Sequence, residues 1–168
     1  MNYIDNLLDL YSASLKDILT HVESIPDSIM TEQPAGQVNH PAWTLSHLAH
    51  AATLIPLLLQ EPITNVGTQD MERFGPGSIP IPDPHQYASK AELIERLKIR
   101  HQIVDTLVRD RHQQYFDQTP PAPFDRFAPT IGRIAIYLVA AHESYHLGQL
   151  MDWKRAIASA SGILKPLV

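Results

Sequence analysis

Apolar residues recur at steps of three and four along four stretches of this chain, and that period predicts four helices. Ile4, Leu7, Leu8, Tyr11, Leu15, Ile18 and Val22 predict the first, from about Tyr3 to Val22, closed by Pro26 and a polar run at 31–36. The second opens at Asn39-His40-Pro41, where Asn39 or His40 caps and Pro41 suits the first helical position. It continues through Trp43, Leu48, Ala52 and Ile55 until Pro56 kinks or ends it. The third starts with a capping box, Ser89 to Glu92, and buries Leu93, Leu97, Val104, Leu107 and Val108 before Pro120, Pro121 and Pro123 break the chain. The fourth runs from about Thr130 to Ala158 through Ile131, Ile134, Ala135, Leu138, Val139, Leu150 and Trp153, and Gly162 and Pro166 end the fold.

Residues 61–88 break the rhythm. Pro62, Gly67, Gly75, Pro76, Gly77, Pro80, Pro82 and Pro84 forbid a regular element there. So long a connection is either a lid or binding loop, or a proline-stiffened strap over a helix pair. Nothing suggests a sheet or an internal repeat. The pattern predicts an all-α protein, one four-helix-bundle domain over residues 1–168, long enough to bury its own core.

Charge narrows the partners. The formal net charge is −5, and Lys90, Arg96, Lys98, Arg100, Arg109 and Arg111 alternate with Glu92, Glu95, Asp105 and Asp110 instead of forming a basic stripe. Nucleic acid is therefore not an expected partner. The apolar run near 55–59 is too short to span a membrane, and Met1 to Asp5 has no basic, then apolar, leader pattern, so a cytoplasmic protein is expected. With no cysteine, any metal must be held by nitrogen or oxygen.

Nine histidines supply the nitrogen. His142 and His146 stand four apart in His142-Glu143-Ser144-Tyr145-His146, so both imidazoles project from one helix face, in phase with Ala135, Leu138, Val139 and Trp153. Buried together they need partners, either hydrogen bonds within the core or one shared metal ion, and bundle interiors commonly hold such ions. A zinc-protease reading fails, because after His146 the chain offers neither Glu nor His as a further ligand, and Gly148 follows at two places, not three. The third ligand must come from upstream. The second helix offers His47 and His50, between which periodicity does not choose, and His101 is a weaker rival. His21, His85 and His112 read as surface residues.

Trp43-Thr44-Leu45-Ser46-His47-Leu48, followed about a hundred residues later by His142-Glu143-Ser144-Tyr145-His146-Leu147-Gly148-Gln149, resembles the DinB/YfiT-like family of metalloenzymes. The resemblance extends over almost the whole chain. It implies that His47, His142 and His146 hold one divalent metal ion, zinc or nickel, in an up-down-down-up bundle with a long crossover matching 61–88, and it implies a homodimer. It also implies a small-molecule substrate and thiol (S-) transfer from a low-molecular-weight thiol cosubstrate. Metal-dependent hydrolysis of a small amide and a non-catalytic metal-holding stress protein are the alternatives. Glu143 is the candidate catalytic base, since no Lys or Arg stands at positions 139, 140, 146 or 147 to pair with it. His50, one turn from His47, is a candidate substrate-binding residue or a satisfied core histidine.

Overall fold

A computed structural model describes residues 3–34, 36–62 and 68–161. Gly67, Gly162 and Pro166, three of the expected breakers, lie outside the described residues. The helices are α1 (Tyr3–Glu23), α2 (Pro41–Ala51), α3 (Leu54–Leu58), α4 (Thr68–Phe74), α5 (Lys90–Arg109), α6 (Ile131–Ile136) and α7 (His142–Ser161). No strand occurs among the described residues, and no helix is long and apolar enough to cross a membrane.

Four of these helices form a closed ring of contacts: α1 packs on α5 and α7, and α2 packs on the same two. One core cluster gathers the start of α1 (Leu8, Tyr11), residues beyond α2 (Ile55, Leu58), the end of α5 (Val104, Val108) and α6 (Ile131). A second gathers the end of α1 (Ile18, Val22), the body of α2 (Leu45), the start of α5 (Leu97) and the body of α7 (Leu150, Trp153). This pairing of ends is the one an up-down-down-up order requires. Between the clusters, along the chain, fall His50, His101, Glu143 and His146, all buried. The core is thus interrupted by a polar layer, which must be partnered or functional to offset the cost of removing it from water.

Local chemistry explains the helix ends. The α5 capping box is present: Ser89 Oγ accepts from the Glu92 amide at 3.3 Å, and Glu92 Oε2 accepts from the Ser89 amide at 3.0 Å. His40, not Asn39, caps α2, its Nδ1 accepting from the Trp43 amide at 3.2 Å. Two lysines satisfy carbonyls at and just past the end of α1: Lys154 reaches His21 O at 3.2 Å and Lys90 reaches Ile25 O at 2.6 Å. His21, expected at the surface, is consequently half-buried beside Lys154, 3.4 Å away; His85 and His112 are exposed as expected.

Three expectations need correction. The second helix breaks at Ala52–Thr53, four residues before Pro56, which itself sits inside α3. The proline ring displaces the carbonyl four residues back, that of Ala52, which accepts instead from Ile55 at 3.4 Å. Residues 61–88 do contain a regular element, α4: its seven residues lie between two glycines and carry no breaker themselves. The fourth helix is not uniform, since a π-helical turn, Tyr137–Ala141, separates α6 from α7.

Candidate metal centre

Every residue of α2 is buried, because α5 and α7 cover it on the bundle side and α4 packs on it as well. A helix covered all round carries no apolar stripe, so its periodicity could not distinguish His47 from His50. The geometry does. His47 Nε2 lies 3.0 Å from His142 Nε2, which lies 3.2 Å from His146 Nε2. These three imidazoles form a cluster able to hold a metal ion, with ligand atoms all within 4.8 Å of one another. Imidazole nitrogens about 2.0–2.1 Å from one ion stand about 2.9–3.4 Å apart at octahedral to tetrahedral angles, so two of the spacings already match.

The crossover segment orients the cluster. His47 Nδ1 lies 2.6 Å from the Phe74 carbonyl. A carbonyl only accepts, so Nδ1 carries the proton and Nε2 presents a lone pair to the other two histidines. The His47 ring stacks on Trp43 at 4.6 Å, and Trp43 Nε1 donates to Ser78 Oγ at 3.3 Å. On the other side, Asn39 Nδ2 donates to Gln149 Oε1 at 2.9 Å and Gln149 Nε2 to the Tyr145 hydroxyl at 2.9 Å, tying the start of α2 to the turn that carries His146. A Cβ at Gly148 would meet nothing within 4 Å, so crowding does not explain that glycine.

The π turn matters here. Its wide hydrogen bond, from the His142 amide to Tyr137 O, sets these two residues one above the other. Both side chains thereby line one cavity of about 810 Å³, onto which His47, His50 and His146 also open. Its walls are mostly apolar, with Leu54, Phe124, Phe127, Ile134 and Leu138.

The structure separates the remaining candidates. His101 is not near the triad; its Nε2 lies 2.7 Å from Glu143 Oε1, and its ring stacks on Tyr11 at 3.7 Å. Glu143, 2% exposed, is therefore held in the bundle interior by a cross-helix partner and does not line the 810 Å³ cavity. Its partner could not be read from its own helix, since it comes from α5. His50, 6% exposed, does line the cavity, and neither ring nitrogen has a hydrogen-bond partner.

Burial lowers the proton affinity of all three clustered histidines. His142 is pushed down to about 4 by burial and then by neighbouring His47, and His146 to about 3 by burial and then by His47 and His142. His47 is also lowered by burial, which outweighs its bond to Phe74. Lowered in this way, the imidazoles favour the neutral form that can ligate. Because their folded values lie below the unfolded one, near 6.5, the metal-free fold is fully stabilised by them above that value. It loses the contribution as pH falls toward 4 and 3. The loaded protein is therefore expected to keep its ion at pH 5.5 and to lose ion and fold together below about pH 5. Dialysis at stepped pH with elemental analysis and circular dichroism checks this; release near pH 6.5 from an intact fold would contradict it.

The sequence profile of the DinB superfamily matches residues 10–150. The chain belongs to that superfamily. No curated protein and no solved structure matches it.

Proposed function

We propose that this DinB-superfamily protein is a metal-dependent enzyme that transfers a low-molecular-weight thiol to a small, largely apolar electrophile. The observation that carries the reading is the 810 Å³ cavity opening directly on His47, His142 and His146. A purely structural ion would be closed off by protein ligands, whereas three histidines facing a cavity leave coordination free for a ligand. When bound, a divalent ion there supplies Lewis-acid chemistry, lowering the pKa of a thiol or water or polarising a carbonyl.

The lining favours thiol transfer over amide hydrolysis. Among the described residues lining the cavity none is Asp or Glu, so no carboxylate stands ready as the base hydrolysis would use. A thiol supplies its own nucleophile: a sulfur–carbon bond forms on the electrophile and the leaving group departs with the thiol proton. Phe124, Phe127 and Leu138 give the organic part an apolar wall. His50 borders the same wall, and burial favours its neutral form.

The test is to incubate zinc- or nickel-loaded protein with low-molecular-weight thiols and a generic aryl or alkyl electrophile, following products by mass spectrometry. A thioether that requires both metal and protein is expected. Amide cleavage without any thiol product would assign hydrolysis instead, and no turnover of either kind would leave a metal-holding bundle.

A further inference from the structure

A second cavity, of about 490 Å³, lies on the neighbouring face of α2, between α2, α4 and α5. It belongs to neither the metal cluster nor the cavity that opens on it. One side is apolar, with Leu45, Ala49, Phe74 and Ile103. The other presents two guanidinium groups one helical turn apart on α5, Arg96 and Arg100, with Asp70 of α4 as the one carboxylate among the described lining residues. His50 forms part of its wall as well, and so borders both cavities.

Two observations point to a ligand. The volume falls within the range of small-molecule sites, and an apolar wall with a few polar groups is their usual make-up. The charged groups converge: Arg96 and Arg100 stand one turn apart on the wall, and Asp70 acts on Arg100 in particular. Arg100 is half-buried, so its charge is drawn from water into the cavity wall; burial lowers its proton affinity and Asp70 opposes this.

We infer that this cavity binds a small organic carboxylate, its acid group on Arg96 and Arg100 and its apolar remainder along Leu45, Ala49 and Phe74. A planar carboxylate matches the fork of donors on a guanidinium, which a neutral amide or an amine does not. The inference stands whether or not the protein transfers thiols, because it uses none of the metal cluster.

Hexanoate titrated into metal-loaded protein at low salt, followed by methyl NMR, tests it. Saturable shifts are expected at the Ile99 and Ile103 methyls, with hexanamide and hexylamine giving none. Arg96→Gln, at an exposed position, is expected to weaken hexanoate by about tenfold or more, the effect of one lost charge-assisted hydrogen bond. Arg100→Gln should do the same, and if that variant fails to fold the Arg96 result decides alone. Unchanged affinity in Arg96→Gln would overturn the assignment. So would shifts confined to Ile134 and Leu138, which would place the carboxylate at the metal, or an absence of saturable binding.

Discussion

His47→Ala is expected to strip the metal from the purified protein, whereas His50→Ala keeps close to one ion per chain. The two residues sit one turn apart on α2 and are buried alike, 7% and 6% exposed, so neither burial nor spacing separates them. Their surroundings do. His47 Nε2 stands 3.0 Å from His142 Nε2, with its other nitrogen anchored on the Phe74 carbonyl, so ring orientation and tautomer are both fixed for ligation. Both His50 nitrogens are unpartnered, on a wall shared by two cavities. Loss of a group that merely supports a ligand typically costs about 10–100-fold in affinity; loss of the ligand itself should exceed that. Competition against a chromophoric chelator, with elemental analysis of the purified variants, gives the numbers. Circular dichroism shows whether His47→Ala still folds. If His50→Ala loses the ion and His47→Ala retains it, α2 presents the other histidine and the cluster is misassigned.

The sequence was informative wherever one face of a helix is buried and the other is wet. The Ile4-to-Val22 stripe placed α1 within a residue of its observed end, and Ser89 with Glu92 placed the start of α5. The i, i+4 pair His142 and His146 was readable for the same reason, as both lie on a helix that presents one face to the interior. Legibility failed where burial comes from elsewhere in the chain. α2 is covered on every side, so only the resemblance, not the period, singled out His47. α4 was hidden among prolines and glycines, although the run from Thr68 to Phe74 contains neither. The π turn at Tyr137–Ala141 leaves no compositional mark in a run of apolar residues. The expected role of 61–88 as lid or strap left out its clearest contribution, a backbone carbonyl at Phe74 that holds a ring of the cluster, and backbone groups carry no side-chain signature.

Glu143→Leu is expected to cost the fold about 3–5 kcal/mol, the range for removing one member of a buried ionic or strongly hydrogen-bonded pair. The carboxylate is 2% exposed, its Oε1 lies 2.7 Å from His101 Nε2, and its Oε2 is buried without a partner. Burial pushes its carboxyl up, and the contact with His101 pulls back against that. Leucine at 143 would leave the His101 ring, already stacked on Tyr11, with a stranded nitrogen. Replacing both partners, His101→Leu with Glu143→Leu, should recover much of the loss, since no polar group is then left unpaired. Glu143→Gln keeps an acceptor for His101 and should shift stability by about 1 kcal/mol or less. That conservative variant also separates a supporting role from a catalytic one. A general base must come within about 3 Å of the proton it removes, and its loss lowers rates by about a hundredfold to ten-thousandfold. Glu143 does not line the cavity on which the three histidines open. The expected result for Glu143→Gln is therefore full metal occupancy, with any turnover preserved within a few-fold. Thermal denaturation of the three variants and a rate assay on Glu143→Gln measure both halves of the prediction. A hundredfold loss of rate at unchanged metal content and unchanged melting would make Glu143 the base after all.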